Sequence, residues 1–178
     1  MTSSGERLLD RAAIEDALGR LGDRLARRGV VADLYVFGGA ALALAYDARR
    51  ATRDIDAIFQ PHGIVLEEAR AVSAELDLPA FWLNEQASAY VAPGGDPSAP
   101  HVFDHPGLRV LVASPEHLLA MKVLAARRRD GDDIRLLLEH LDLRSVNDVL
   151  ALCAEIFPEE AVPDRARLVL EDALGPDR

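Results

Sequence analysis

The sequence predicts an α+β protein, on three observations. Runs at residues 34–37, 55–59 and 108–113 are short, apolar and bounded by turn residues, as strands are. Segments around them carry apolar residues at helical spacing, and beyond Ser114 only helical periods remain. The 178 residues, 49% of them hydrophobic, suffice for one domain with a real core, read as a strand-bearing part at about 30–113 and a helical C-terminal part at about 114–178.

A first helix is expected over residues 7–28, where Leu8, Leu9, Ile14, Leu18, Leu21 and Leu25 form the apolar face and Gly29 marks the stop. Gly19 and Gly22 weaken it, and mark a close contact or a bend. The strand at 34–37 runs into Gly38-Gly39, a short helix at 40–46, a basic loop and the second strand at 55–59. Pro61 and Gly63 break the chain before a second amphipathic helix at 64–76. The patch Phe81, Trp82, Leu83 reads as core or strand edge, with stacking of Trp82 on a base as the alternative. Residues 94–100, rich in Pro, Gly, Asp and Ser, predict a flexible surface loop that could border a site.

His101, Asp104 and His105 read as a loop feature, since a metal site would need a third strong ligand at a recognised spacing. After the strand at 108–113, Ser114 and Pro115 supply the N-cap and first-turn proline of a helix reaching about residue 128. Helices at 134–141, 145–156 and 165–174 follow as a lid or support layer, with Ser145 as a cap and Pro158 and Pro163 as separators.

Charge narrows the function. A net charge of −10 and a pI near 4.9 argue against broad binding to nucleic acid or anionic membranes. Two local basic clusters stand out, Arg49, Arg50 and Arg53 and then Arg127, Arg128 and Arg129; they read equally as a phosphate-binding surface or as solvated helix ends. Cys153 is the one cysteine, which excludes an internal disulfide and a cysteine-based zinc site. The N-terminal residues lack an apolar signal core and no apolar run approaches membrane-spanning length, so a soluble, cytoplasmic protein without a membrane partner is expected.

The chemistry concentrates in residues 35–59. Asp54 and Asp56, two apart in an extended strand, project to one face and leave Ile55 on the other. Such a pair suits Mg²⁺, which takes one or two protein carboxylates and completes its shell with water and phosphate oxygens. Gly38 and Gly39 fall where a strand ends and a helix begins, a place where backbone N–H groups and the helix dipole favour phosphate. Taken singly, the carboxylate pair is a polar strand face and the glycine pair a turn; together, and leading into the apolar run 57–59, they outline a nucleotide site. Lys122 is the only lysine, lying among Leu118, Leu119, Met121 and Val123 where arginine serves elsewhere, so a compact ammonium is wanted there unless the placement is chance. A continuous helix would set Lys122 and Asp133 on one face, three turns apart, whereas a break at Gly131 would separate them.

Gly38-Gly39-x-Ala41-Leu42, Arg53-Asp54-Ile55-Asp56, Leu119-Ala-Met-Lys122 and Arg129-Asp130-x-x-Asp133-Ile134 together resemble the minimal nucleotidyltransferase superfamily, in the branch of AbiEii-like toxins and related bacterial proteins, over most of residues 33–150. The resemblance implies a small mixed sheet flanked by helices, with a helical C-terminal layer. It implies that Asp54 and Asp56 hold Mg²⁺, for which Mn²⁺ could substitute, and align a nucleoside triphosphate such as ATP or CTP. Gly38 and Gly39 would cradle the phosphates, with Thr52, Arg53, Arg129 and Asp130 as further substrate-binding residues. Lys122 would neutralise the triphosphate or the leaving pyrophosphate, and Asp133, or in second place Asp130, would complete the site and orient the acceptor. The acceptor in that branch is an RNA 3′ end, tRNA included, or a protein hydroxyl, and a toxin would have a cognate antitoxin.

The motif departs from the family in two places. Gly39 replaces the more familiar serine, and the third carboxylate of many relatives has no clear counterpart, Asp104 being adjacent to the 108–113 strand and Arg109 on it. A catalytically weak or inactive protein that binds a nucleotide or partner on the same fold is therefore the alternative, and an interaction module acting through its acidic surface a third reading.

Overall fold

Strand β2 (Ala32–Phe37) is central to a five-stranded sheet, with Ala32, Leu34, Val36 and Phe37 buried. The computed structural model describes residues 8–86 and 91–175. On one side of β2 lies β4 (Ile55–Gln60), antiparallel, and beyond it β5 (Leu83–Asn84), parallel to β4. On the other side lie β7 (Leu108–Val112), parallel to β2, and the edge strand β6 (His101–His105), antiparallel to β7. The sheet is thus mixed, with order β5-β4-β2-β7-β6, and the fold is α+β: a small mixed sheet flanked by helices, followed by a helical C-terminal part. The chain divides into two compact units, Met1–Ala89 with Ala99–Ala113, and Tyr90–Ser98 with Ser114–Arg178.

In the first unit, α1 (Arg11–Arg27) buries Ile14, Leu18, Leu21 and Leu25, four of the six apolar positions that mark its face in the sequence. It begins later than residue 7. Leu8 precedes every regular element, Leu9 and Asp10 form β1 (Leu9–Asp10) opposite β3 (Ala51–Thr52), and Asp10 caps the helix by accepting the N–H of Ala13 at 2.8 Å. Arg7 lies outside the described residues. Gly29, at φ +68°, supplies the left-handed stop. Gly22 marks a close contact: a Cβ there would come within 2.5 Å of the His105 ring, and one on Gly107 would overlap the Gly22 carbonyl and the Ala26 N–H.

Pro61 separates β4 from helix α3 (His62–Leu76) as the sequence suggests, whereas Gly63 lies within the helix, which starts two residues before residue 64. An ion cluster joins α3 to α1, with Glu68 accepting from Arg24 Nε at 2.6 Å and Arg28 Nη1 at 2.8 Å. Trp82 is fully buried and donates its indole N–H to Ala69 O at 2.9 Å, so it is core; Phe81 beside it is exposed. The predicted helix at 40–46 is a short α2 (Gly38–Ala41) running into a π-helical turn (Leu42–Tyr46), pinned where Tyr46 donates to Ala113 O at 2.8 Å. His101, Asp104 and His105 lie on β6, not in a loop. As an edge strand with no fully buried residue, β6 lacks the apolar pattern that reveals strands in sequence.

In the second unit, α4 (Pro115–Ala125) starts as expected, Ser114 accepting the His117 N–H at 3.3 Å and Pro115 occupying the first turn. It ends three residues short of residue 128, where Ala126 turns left-handed at φ +46°. A 3₁₀ turn (Arg128–Asp130) leads into α5 (Gly131–His140), which begins at the glycine expected to break the chain. Helix α6 (Val146–Ile156) is capped by Ser145, and α7 (Asp164–Leu174) follows the two prolines. Burial pushes the Cys153 thiol up to about 11, which suits a core residue and not a nucleophile. The loop before β6 is anchored here: the Asp96 carboxylate is buried, accepts the Ser114 N–H at 2.7 Å and lies 3.3 Å from His117 Nδ1. No helix among the described residues is long and apolar enough to cross a membrane.

Candidate active site

The end of β2 and the start of β4 meet at Phe37 and Asp56, which face each other across the antiparallel ladder. Along β4 the burial alternates, with Ile55, Ala57 and Phe59 inside and Asp56 and Ile58 partly exposed. Asp54 is not part of the strand as expected but lies in the bend just before it, partly exposed like Asp56. On the other flank Asn84 of β5 is the register partner of Asp56, so its side chain shares the face of that residue. The Asn84 amide is buried and reaches back to Asp54, donating from Nδ2 to Oδ2 at 3.3 Å. Asp54, Asp56 and Asn84 therefore form one polar face at the end of two adjacent strands.

The glycine turn closes over that face. Gly38 has φ +67°, a conformation glycine adopts without a Cβ penalty, and a Cβ there would stand 3.3 Å from Asp56 Oδ2. A Cβ on Gly39 would come within 3.0 Å of Thr52 Oγ1. The Thr52 hydroxyl donates to the Asp54 carbonyl at 3.1 Å, holding the turn that presents the first carboxylate. Any side chain at position 39, serine included, would therefore press on Thr52 of β3. Two carboxylates on one face, with a cradle that any Cβ at Gly38 would intrude on, fit a hard divalent cation bound through one or two carboxylates.

The basic residues nearby behave differently from one another. Arg49 is 92% exposed and bound to Asp47 at 3.2 Å. The backbone N–H of Arg49, and then its guanidinium, hold the Asp47 carboxyl below the usual range. Arg50, half-buried, reaches the same carboxylate at 3.6 Å, while Arg53, just before Asp54, is exposed.

Lys122, Asp130 and Asp133 come together in the second unit. Lys122 Nζ donates to Asp133 Oδ2 at 2.7 Å and lies 3.4 Å from Asp130 Oδ1. All three side chains are largely buried, at 12%, 15% and 17% exposed. Neither a continuous helix nor a break at Gly131 accounts for this; the turn at Ala126 folds the chain back so that α5 faces the end of α4. Arg127, Arg128 and Arg129 are exposed around that turn. The two groups, Asp54 with Asp56 and Lys122 with Asp130 and Asp133, belong to different units.

Asp104 is not a third carboxylate of the first group. It pairs with Arg109, Arg109 with Asp33, and Asp33 with Gln60, whereas Asp56 pairs with Phe37. Strand geometry sets Asp104 roughly 14 Å across the sheet and roughly 13 Å along it from Asp56. Among the described residues no group of three His, Cys, Asp or Glu side chains is placed to hold a metal ion. Asn84 is what sequence reasoning missed: a buried amide 30 residues from its partner carries no local signal.

No curated protein and no solved structure matches the chain. One family model does, across residues 16–167, and it covers both carboxylates, the glycine turn and Lys122. The chain accordingly belongs to the family described as nucleotidyltransferase of unknown function (DUF6036).

Proposed function

We propose that this protein is a Mg²⁺-dependent enzyme that transfers a nucleotidyl group from a nucleoside triphosphate, ATP or CTP being the first to test, to a hydroxyl acceptor. The observation that carries the reading is the shared face of Asp54 and Asp56 under the Gly38 turn. Asp54 and Asp56 would hold the cation, which when bound supplies charge stabilisation to phosphate oxygens. Gly38 and Gly39 allow the triphosphate to approach the backbone closely, and Thr52 keeps the Asp54 turn in place. The acceptor hydroxyl would attack the α-phosphorus and give up its proton to water, while the bond from that phosphorus to the oxygen shared with the β-phosphate breaks and pyrophosphate leaves with that oxygen. By the motif resemblance, Lys122 would offset charge on that leaving group, Asp133 would orient the acceptor, and Arg53, Arg129 and Asp130 would take part in substrate binding.

An RNA 3′ end, tRNA included, is the favoured acceptor, with a protein hydroxyl second. The motif resemblance to AbiEii-like toxins supports a toxin role, with a cognate antitoxin as partner. Supplying triphosphate and acceptor together tests the reaction: pyrophosphate should appear in step with nucleotide incorporated, and release of orthophosphate alone would refute transfer.

One observation favours the second reading, a nucleotide- or partner-binding protein with weak or absent turnover. The side chain that β5 adds beside the carboxylate pair is the amide of Asn84 and not a third carboxylate. Nucleotide binding with Mg²⁺ present, without incorporation into any acceptor, would establish it.

A further inference from the structure

We infer that Asn84 is a positioning residue for the cation-binding face, aiming the Asp54 carboxylate by holding one of its two oxygens. The inference rests on the cation reading above. Three bonds fix the amide: Oδ1 accepts the Gln86 N–H at 3.0 Å, and Nδ2 donates to Phe81 O and to Asp54 Oδ2, both at 3.3 Å. Rotating the amide by half a turn would set its oxygen against the Phe81 carbonyl and the Asp54 carboxylate, and its NH₂ against the Gln86 N–H. One orientation alone satisfies all three partners. Asn84 is 8% exposed, so solvent contributes little to holding it.

The consequence falls on Asp54. It precedes β4, outside the hydrogen-bonded ladder that aligns Asp56, and a carboxylate at a strand entrance is free to rotate unless something holds it. With Oδ2 accepting from Asn84, Oδ1 is left to bind a cation alongside Asp56. A carboxylate at position 84 could not do this, since it would meet Phe81 O and Asp54 Oδ2 with no hydrogen to donate. The amide also keeps the charge of the face at that of two carboxylates.

Mn²⁺ binding to the full chain, followed by electron paramagnetic resonance, separates the possibilities. Wild type should bind Mn²⁺, Asp56→Ala should abolish binding, and Asn84→Ala should weaken it about tenfold or more, as loss of a partner to a ligand does. Unfolding by urea in EDTA shows how much of any change is lost stability. A second readout needs no variant: Mn²⁺ should broaden the Asn84 side-chain NH₂ resonances of the wild type. Unchanged Mn²⁺ affinity in Asn84→Ala, with binding still lost in Asp56→Ala, would overturn the role of Asn84 and leave the cation site standing. Absence of Mn²⁺ binding by wild type would instead overturn the cation reading, and this inference with it.

Discussion

Lys122 and Asp133 are joined at 2.7 Å across a reversal of the chain at Ala126, so the only ammonium side chain in the protein is held by the first turn of the next helix. Asp130 flanks the pair at 3.4 Å, so the two carboxylates share this ammonium. Lys122→Met would take the ammonium away from both carboxylates in a largely buried place, and we expect a loss of about 1–3 kcal/mol, below the range for fully buried pairs because some solvent remains. Asp133→Asn should cost less, since Lys122 keeps Asp130. Urea unfolding at neutral pH measures both, and an activity loss in Lys122 variants is informative only beside that measurement.

The glycine turn should respond at each residue for a different reason. Gly38→Ala forces a side chain into a left-handed conformation, at a cost of about 1–2 kcal/mol, and puts a methyl against Asp56. Gly39→Ala leaves the backbone conformation available but presses on Thr52. Both should lose at least tenfold in nucleotide affinity while remaining folded, read by calorimetry and circular dichroism. Wild-type affinity in Gly38→Ala would contradict the cradle.

Three glycines in and beside α1 should separate propensity from packing. Gly19 has nothing within 4 Å of a built Cβ, so Gly19→Ala should stabilise by about 0.5–1 kcal/mol through helix propensity. Gly22→Ala meets the His105 ring and Gly107→Ala meets backbone of α1, so both should destabilise, by about 1–3 kcal/mol for Gly22 and more for Gly107, where backbone must move. Thermal unfolding of the three variants gives the order directly.

The contrast between these glycines shows what was legible in the sequence. The face of α1, the caps at Ser114 and Ser145 and the strands at 34–37, 55–59 and 108–113 follow from local periods and capping chemistry, and the structure contains them. The close contact at Gly22 was legible as one of two meanings of a helical glycine. Edge strand β6 was not, because a strand with no buried side carries no alternation. Nor was the turn at Ala126, since alanine is no turn signal and the break was sought at Gly131, which instead opens α5. In the site, the Asp54–Asp56 spacing and the glycine pair are sequence features, whereas the Asn84 contact and the Thr52 hydroxyl packed against Gly39 depend on strand pairing.

Stability should fall with acid partly through Glu68. Arg28, and after it Arg24, hold its carboxyl below the ordinary range through hydrogen bonds that outweigh desolvation. A depressed carboxyl adds stability that is complete above its unfolded value, about 4.3, and is lost as pH falls through the lower folded value. Glu68→Gln should therefore destabilise at neutral pH, by an amount that shrinks as pH falls below the unfolded value. Urea midpoints across that range test the sign, and an equal deficit at every pH would contradict it.

The most direct test of the central claim is transfer of label from each of the α-labelled nucleoside triphosphates to total RNA and to total protein, with Mg²⁺, comparing wild type, Asp54→Ala and Asp56→Ala. The account predicts labelled acceptor with wild type only, with a preference for one nucleotide and one acceptor class. Label that persists in Asp56→Ala, or none from any nucleotide with folded wild-type protein, would contradict it.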